Sequence, residues 1–337
     1  MLLTSEQLKT VITGCTAFEE EDGGLWLSRY SPAQRAIFDE PIMQYLTRAC
    51  AGVTMDFYTD ATTLTLRVDG LKVQDSDRRD FDLLIDGLLV RKIDIFSLEA
   101  GPCRDMTMFR PQDVVFELPE GEKRVTVCFS WQTPVRILSA ELENATFFRP
   151  HTYEYTWLAF GDSITHGASA DFPSMSYVNQ TARNLNAKVY NYGLGGEMYR
   201  EDWIVPGTYP KADFVTVALG TNDCLYQKKE LFERYMPAFY AQVAKEFADV
   251  PVYVILPAWR RFEGRGGSRE LGTLPQVRQR IANEIAQYPN MTAVSAERWV
   301  PRVREFYGED LLLHPNDLGM THYAAHLTAF LREKLAK

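Results

Sequence analysis

The sequence predicts an α/β protein in two parts, an antiparallel β-sandwich over residues 1–150 and a parallel-sheet α/β domain over residues 151–337. Three observations lead there. Apolar residues recur at every second position from about Gly52 to Phe148, and after "FFRP" (Phe147 to Pro150) short β-rich runs alternate with stretches of helical period. The third is length, since 337 residues exceed what one ordinary compact core holds.

In the first part, "GVTMDFYTD" places Val53, Met55 and Phe57 on one side, and "TTLTLRVDG" does the same with Leu64, Leu66 and Val68. This period belongs to half-buried strands. Asp86-Gly87 in "LLIDGLLV" signals a two-residue hairpin turn, and "LPEGEKRVTVCFSW" reads as strand, turn, strand. Paired in this way, the segments are expected to form a sandwich of jelly-roll type.

In the second part, "YTWLAF", "AKVYNYG", "DFVTVALG" and "VPVYVILP" read as strands, and "SYVNQTARNLN" and "LPQVRQRIANEIAQY" as helices between them. Such alternation predicts a parallel sheet covered on both faces. Ligands of these sheets bind at the carboxyl ends of the strands, which is where chemistry should be sought. The loop "RRFEGRGGSRELG", Arg260 to Gly272, is the one segment that reads as mobile.

A net charge of −9 at pH 7 argues against a nucleic-acid partner or an anionic membrane surface, both of which select clustered cations. A small-molecule or oligosaccharide partner fits better, and a homo-oligomer is compatible with the sequence. "MLLTSEQLKTVITG" lacks a basic segment followed by an apolar run, and no stretch is long enough to span a bilayer, so a cytoplasmic location is expected. Cys15, Cys50, Cys103, Cys128 and Cys224 are scattered and odd in number, which fits reduced core thiols better than disulfides or a zinc site.

The strand ends carry Gly161-Asp162-Ser163, then "NYGLGG", then "GTND", then "PAWRR", and near the C-terminus comes "LHPNDLGMTHYAAHL". A serine, a glycine turn, an Asn carboxamide and a histidine are the inventory of a serine esterase. A hydroxyl is a poor nucleophile until an imidazole takes its proton, and the oxyanion that follows needs donors fixed where charge develops. Ser163 is the expected nucleophile and His314 the expected base. The backbone N–H groups of Ser163 and Gly196 and the Asn222 side chain are the expected oxyanion donors. Neither a metal nor an organic cofactor is required.

These blocks resemble the SGNH or GDSL-type hydrolases: "GDSIT" with Ser163, "NYGLGG" with Gly196 five residues after Asn191, "GTND" with Asn222, and "HPN" with His314, in the family's order. The resemblance implies a flavodoxin-like three-layer α/β/α domain. It departs from the family at Leu311, where an acid usually stands three residues before the histidine. Asp310 reaches the imidazole if the loop is shifted by one place; Glu309 is a weaker candidate, and Asp317 reads as a helix cap. A Ser–His dyad oriented by a backbone carbonyl is the alternative, an arrangement similar to that of family-two carbohydrate esterases, which also carry an N-terminal jelly roll. That likeness implies an O-acetyl group on a saccharide as substrate; a lipid esterase or thioesterase, or a binding protein with a decayed site, are the rivals.

Other residues near the strand ends have plainer readings. His166 is expected to pack or hydrogen-bond at the start of the helix after Ser163, and Asp162 to hold the turn. His322 and His326 lack the Glu of a zinc-binding helix, because Tyr323 stands there. Tyr199, Trp203 and Trp259 are candidates for an aromatic wall against a sugar ring, and Arg260 for a polar substrate contact.

Overall fold

A computed structural model of the protein describes residues 1–72, 80–94, 107–261, 270–310 and 313–336. Most of the Arg260–Gly272 loop, Leu311 and Cys103 lie outside the described residues. Two compact units emerge, one comprising Met1–Tyr153 with the short segment Phe172–Ser174, the other Glu154–Asp171 with Met175–Lys337.

Among the described residues the first unit holds two antiparallel sheets. One orders Ile12–Thr13, Thr54–Thr59, Lys123–Cys128, Asp80–Ile85 and Leu88–Asp94, with Phe148–Pro150 also paired to Thr54–Thr59. The other orders Ala17–Glu21, Gly24–Ser28, Val135–Glu143, Thr63–Lys72 and Thr107–Glu117. The alternation read from sequence is the packing pattern: Met55 and Phe57 from the first sheet meet Leu64, Leu66 and Val68 from the second in one core, which makes this unit a sandwich. Asp86 and Gly87 both adopt positive φ, 50° and 82°, between the paired Ile85 and Leu88. That is the type I′ turn whose twist matches its flanking strands. The outer carboxylates Asp56 and Asp69 are buried, and each receives a two-pronged guanidinium, from Arg124 and Arg136.

The second unit has a parallel sheet whose described strands lie in the order Ala187–Gly193, Tyr155–Gly161, Phe214–Ala218, Val252–Leu256, Met291–Ser295. In chain order this is 2-1-3-4-5, the flavodoxin-like arrangement. The first strand is buried on both sides. Trp157 and Ala159 pack with the helices Tyr177–Leu185 and Asp317–Leu335, while Phe160 on the opposite face meets Tyr192, Trp203, Tyr209 and Phe247. Its second-strand neighbour lies on one side and its third-strand neighbour on the other, so the connections diverge at its carboxyl end. Ser163 follows that end after one residue, Asp162.

The strand ends approach the nucleophile helix so closely that side chains are excluded. A Cβ on Gly193 would lie 2.4 Å from the His166 nitrogen and 2.6 Å from the Thr165 carbonyl carbon. Backbone atoms of a helix cannot swing aside as a side-chain tip does. Gly193→Ala is therefore expected to cost about 1–3 kcal/mol through overpacking. Denaturant unfolding measures this, and an unchanged midpoint would contradict it.

Candidate active site

Asp162 follows the first strand and caps the helix Ser163–His166, its Oδ1 accepting from the Ile164 N–H at 3.0 Å. Ser163 is thus the first residue of the helix, where backbone N–H groups have no intrahelical acceptor. Its Oγ lies 2.6 Å from His314 Nε2. The other ring nitrogen, Nδ1, is hydrogen-bonded to Asp310 Oδ2.

Asp310 supports the ring from the fourth position before His314, its carboxylate held in place by backbone N–H groups. Its Oδ1 accepts from the Leu313 and His314 N–H groups at 3.3 and 3.2 Å, which turns the carboxylate beneath the imidazole. The loop is closed by Gly308 N–H donating to the His314 carbonyl at 2.9 Å and by the Asn316 amide donating to the Glu305 and Tyr307 carbonyls. Partial burial alone would raise the Asp310 carboxyl. The hydrogen bond and charge of His314 outweigh it and hold the group below the usual carboxylate range. Glu309 is exposed. The last helix is capped by Asn316 and not by Asp317, which instead accepts from the Asp171 N–H at 2.8 Å.

Gly196 sits exposed in a turn closed by Glu197 N–H donating to the Leu194 carbonyl at 3.2 Å, and its φ of 81° is one that glycine alone adopts without strain. Asn222, in the first turn of the helix Thr221–Tyr226, donates one amide hydrogen to the Glu197 carbonyl at 2.9 Å. A carboxamide carries a second hydrogen for a ligand. Asn191 is committed elsewhere: it donates to the Thr165 carbonyl and accepts from Gly193 N–H, both at 2.8 Å. Three neighbouring strands therefore deliver Ser163, Gly196 and Asn222 at their carboxyl ends.

Several aromatic and charged candidates lie inside the domain and not at a ligand surface. Tyr199 and Trp203 are each 1% exposed, packed among Phe232, Phe239, Tyr240 and Phe160, so they form no wall for a sugar. Arg260 is 3% exposed, and its charge acts on the interior groups Asp162 and Cys224. Trp259 is partly exposed, edge-on to Tyr307 with Arg302 over its ring. His322 meets Phe306 edge-on and His326 stacks on Trp299. His166 is buried, and its Nδ1 accepts from the Gly195 N–H at 3.2 Å.

Beneath the site lie buried carboxyls that composition alone does not reveal. Burial pushes Asp162 up to about 6, against the pull of the Ile164 amide and of the His314 and Arg260 charges. Burial pushes Asp223 up to about 8, opposed by the Tyr199 N–H it accepts at 3.0 Å and reinforced by the charges of Asp162 and Glu197. A carboxyl raised on folding stabilises the fold fully below its unfolded value, about 3.9, and loses that contribution as pH rises through its folded value. The melting temperature should therefore fall between about pH 4 and about pH 8. Asp223→Asn, which keeps an acceptor for Tyr199, should flatten that fall. Thermal denaturation across this range measures it, and identical slopes for the two proteins would refute the assignment.

Residues 159–322 match the model of the GDSL-like Lipase/Acylhydrolase family. No curated protein matches the sequence significantly. Among solved structures, a salicylyl-acyltransferase from a tetracycline biosynthetic pathway is similar with a TM-score of 0.74 at 17% identity, over 99% of this chain and 97% of that one. A Bacteroides ovatus protein assigned to the GDSL-like lipases has a TM-score of 0.73 at 17% identity, over 100% and 98%. A family two carbohydrate esterase from Clostridium thermocellum, solved with cellohexaose, has a TM-score of 0.64 at 17% identity, over 96% and 99%. The strand order and these similarities give the second unit the SGNH hydrolase fold, and its residues 159–322 resemble the GDSL-like Lipase/Acylhydrolase family.

Proposed function

We propose that the protein is a serine esterase that removes small acyl groups, acetyl foremost, from a carbohydrate through an acyl-enzyme. The observation that carries this reading is the continuous hydrogen-bonded chain from Ser163 Oγ through His314 to Asp310. Ser163 Oγ attacks the ester carbonyl carbon as its proton passes to His314 Nε2. The resulting oxyanion is received by the Ser163 and Gly196 N–H groups and the free amide hydrogen of Asn222, each donor worth on the order of 3 kcal/mol. Collapse breaks the bond to the leaving alcohol, which takes the proton back from His314. Water then repeats the sequence on the acyl-enzyme and releases the acid. Asp310 keeps the hydrogen of His314 on Nδ1, so that Nε2 faces Ser163 as an acceptor, and it stabilises the imidazolium that forms.

An acid on the imidazole speaks against a decayed site. The preference for carbohydrate rests on architecture, since two family two carbohydrate esterases are similar over 96% and 97% of this chain. A lipid esterase of the same fold would use the same chemistry with a longer acyl pocket. Nitrophenyl esters separate the two: kcat/KM should fall steeply from acetate to octanoate, and a rise would favour the lipid reading. A fluorophosphonate should label the protein covalently, and Ser163→Ala should abolish both labelling and hydrolysis; labelling that survives the substitution would overturn the nucleophile. Asp310→Asn should lower kcat by more than about tenfold, and by up to about 10⁴ if its role is that of a full triad acid. Asp317→Asn, away from the ring, should leave kcat close to that of the unaltered protein.

A further inference from the structure

One buried side chain that the proposed reaction does not use ties the nucleophile turn to the oxyanion turn. His166 ends the helix begun by Ser163 and is 1% exposed. Its Nδ1 accepts from the N–H of Gly195, the residue directly before Gly196. A ring nitrogen that accepts carries no hydrogen, so His166 holds its proton on Nε2 and is neutral in this arrangement.

We propose that His166 is a positioning residue for the oxyanion hole, its Nδ1 fixing the Gly195 peptide and thereby aiming the Gly196 N–H. This rests on the esterase reading above. Gly195 and Gly196 are adjacent glycines, the residues with the widest backbone freedom, and the rotations flanking their shared peptide set where the Gly196 N–H points. Four hydrogen bonds hold the pair in register: Leu194 N–H donates to the Gly161 carbonyl at 2.9 Å before it, Glu197 N–H donates to the Leu194 carbonyl at 3.2 Å across it, the Glu197 carbonyl accepts from Asn222 at 2.9 Å after it, and His166 Nδ1 grips the N–H of Gly195 itself at 3.2 Å. The imidazole is itself seated firmly, because His166 N–H donates to the Asp162 carbonyl at 2.9 Å and Gly193 packs against that same nitrogen. A donor misaimed by a fraction of an ångström loses most of its worth to a transition state while costing the bound ester little.

The test compares three replacements by steady-state kinetics on nitrophenyl acetate, with melting temperature followed alongside. His166→Leu removes the acceptor, His166→Asn returns one near the Nδ1 position, and His166→Gln sets one an atom further out. Expected are a fall in kcat of about tenfold or more for His166→Leu with KM changed less than about twofold, substantial recovery in His166→Asn, and none in His166→Gln. Inhibition by an alkyl trifluoromethyl ketone, whose adduct places an oxyanion in the hole, should weaken in parallel with kcat. If His166→Leu does not fold, the Asn and Gln pair carries the comparison. An unaltered kcat in His166→Leu, or equal losses in Asn and Gln, would overturn the proposal. Ser163→Ala in the same assay separates the two ideas: full activity there sinks the esterase reading, whereas an inactive Ser163→Ala beside an unaltered His166→Leu sinks only this one.

Discussion

The hydrogen bond between Ser163 Oγ and His314 Nε2 joins residues 151 positions apart in the chain, and the second unit is arranged so that they meet at 2.6 Å. Proton transfer tolerates little error in that distance, so both ends must be rigid. Rigidity at the serine comes from a strand buried on both faces, a capped helix start and glycines that let neighbouring strands close in. At the histidine it comes from a loop stitched to itself by backbone hydrogen bonds and pinned by Asn316 at the start of the last helix. Neither end is held by a long-range ion pair or a disulfide among the described residues; packing and short hydrogen bonds suffice.

Electrostatics beneath the site follow from the same construction. Bringing strand ends together concentrates their polar residues, so Asp162, Glu197 and Asp223 come to lie close enough to influence one another. Burial favours the neutral forms of Asp162 and Asp223, and nearby N–H groups pull only part of the way back.

How much of this was legible in the sequence depended on whether the signal was local. Ser163, Gly196 and Asn222 each sit within four residues of a strand end, and period and motif together put them at one edge of the sheet. The Asp86-Gly87 turn was equally readable, because only a few residues tolerate two consecutive positive φ angles. Asp310 was narrowed to but not fixed, since choosing it over a backbone carbonyl required the hydrogen bonds that Leu313 and His314 make to its carboxylate. Tyr199 and Trp203 misled for a related reason: an aromatic after a strand end has the same spelling whether it faces solvent or the helix Lys229–Glu246. The tie from His166 to Gly195 spans separate loops and left no mark in spacing at all.

The order in which the chain supplies its parts has a kinetic consequence during synthesis. A serine hydroxyl without its base is nearly inert, and at about 5–20 residues per second the base would follow the nucleophile from the ribosome by roughly 8–30 s. The loop bearing His314 leads straight into the helix Asp317–Leu335, which packs against Tyr177–Leu185. In the proposed mechanism, reactivity would therefore switch on only when that last helix docks, and a half-made chain would carry Ser163 without the base that activates it.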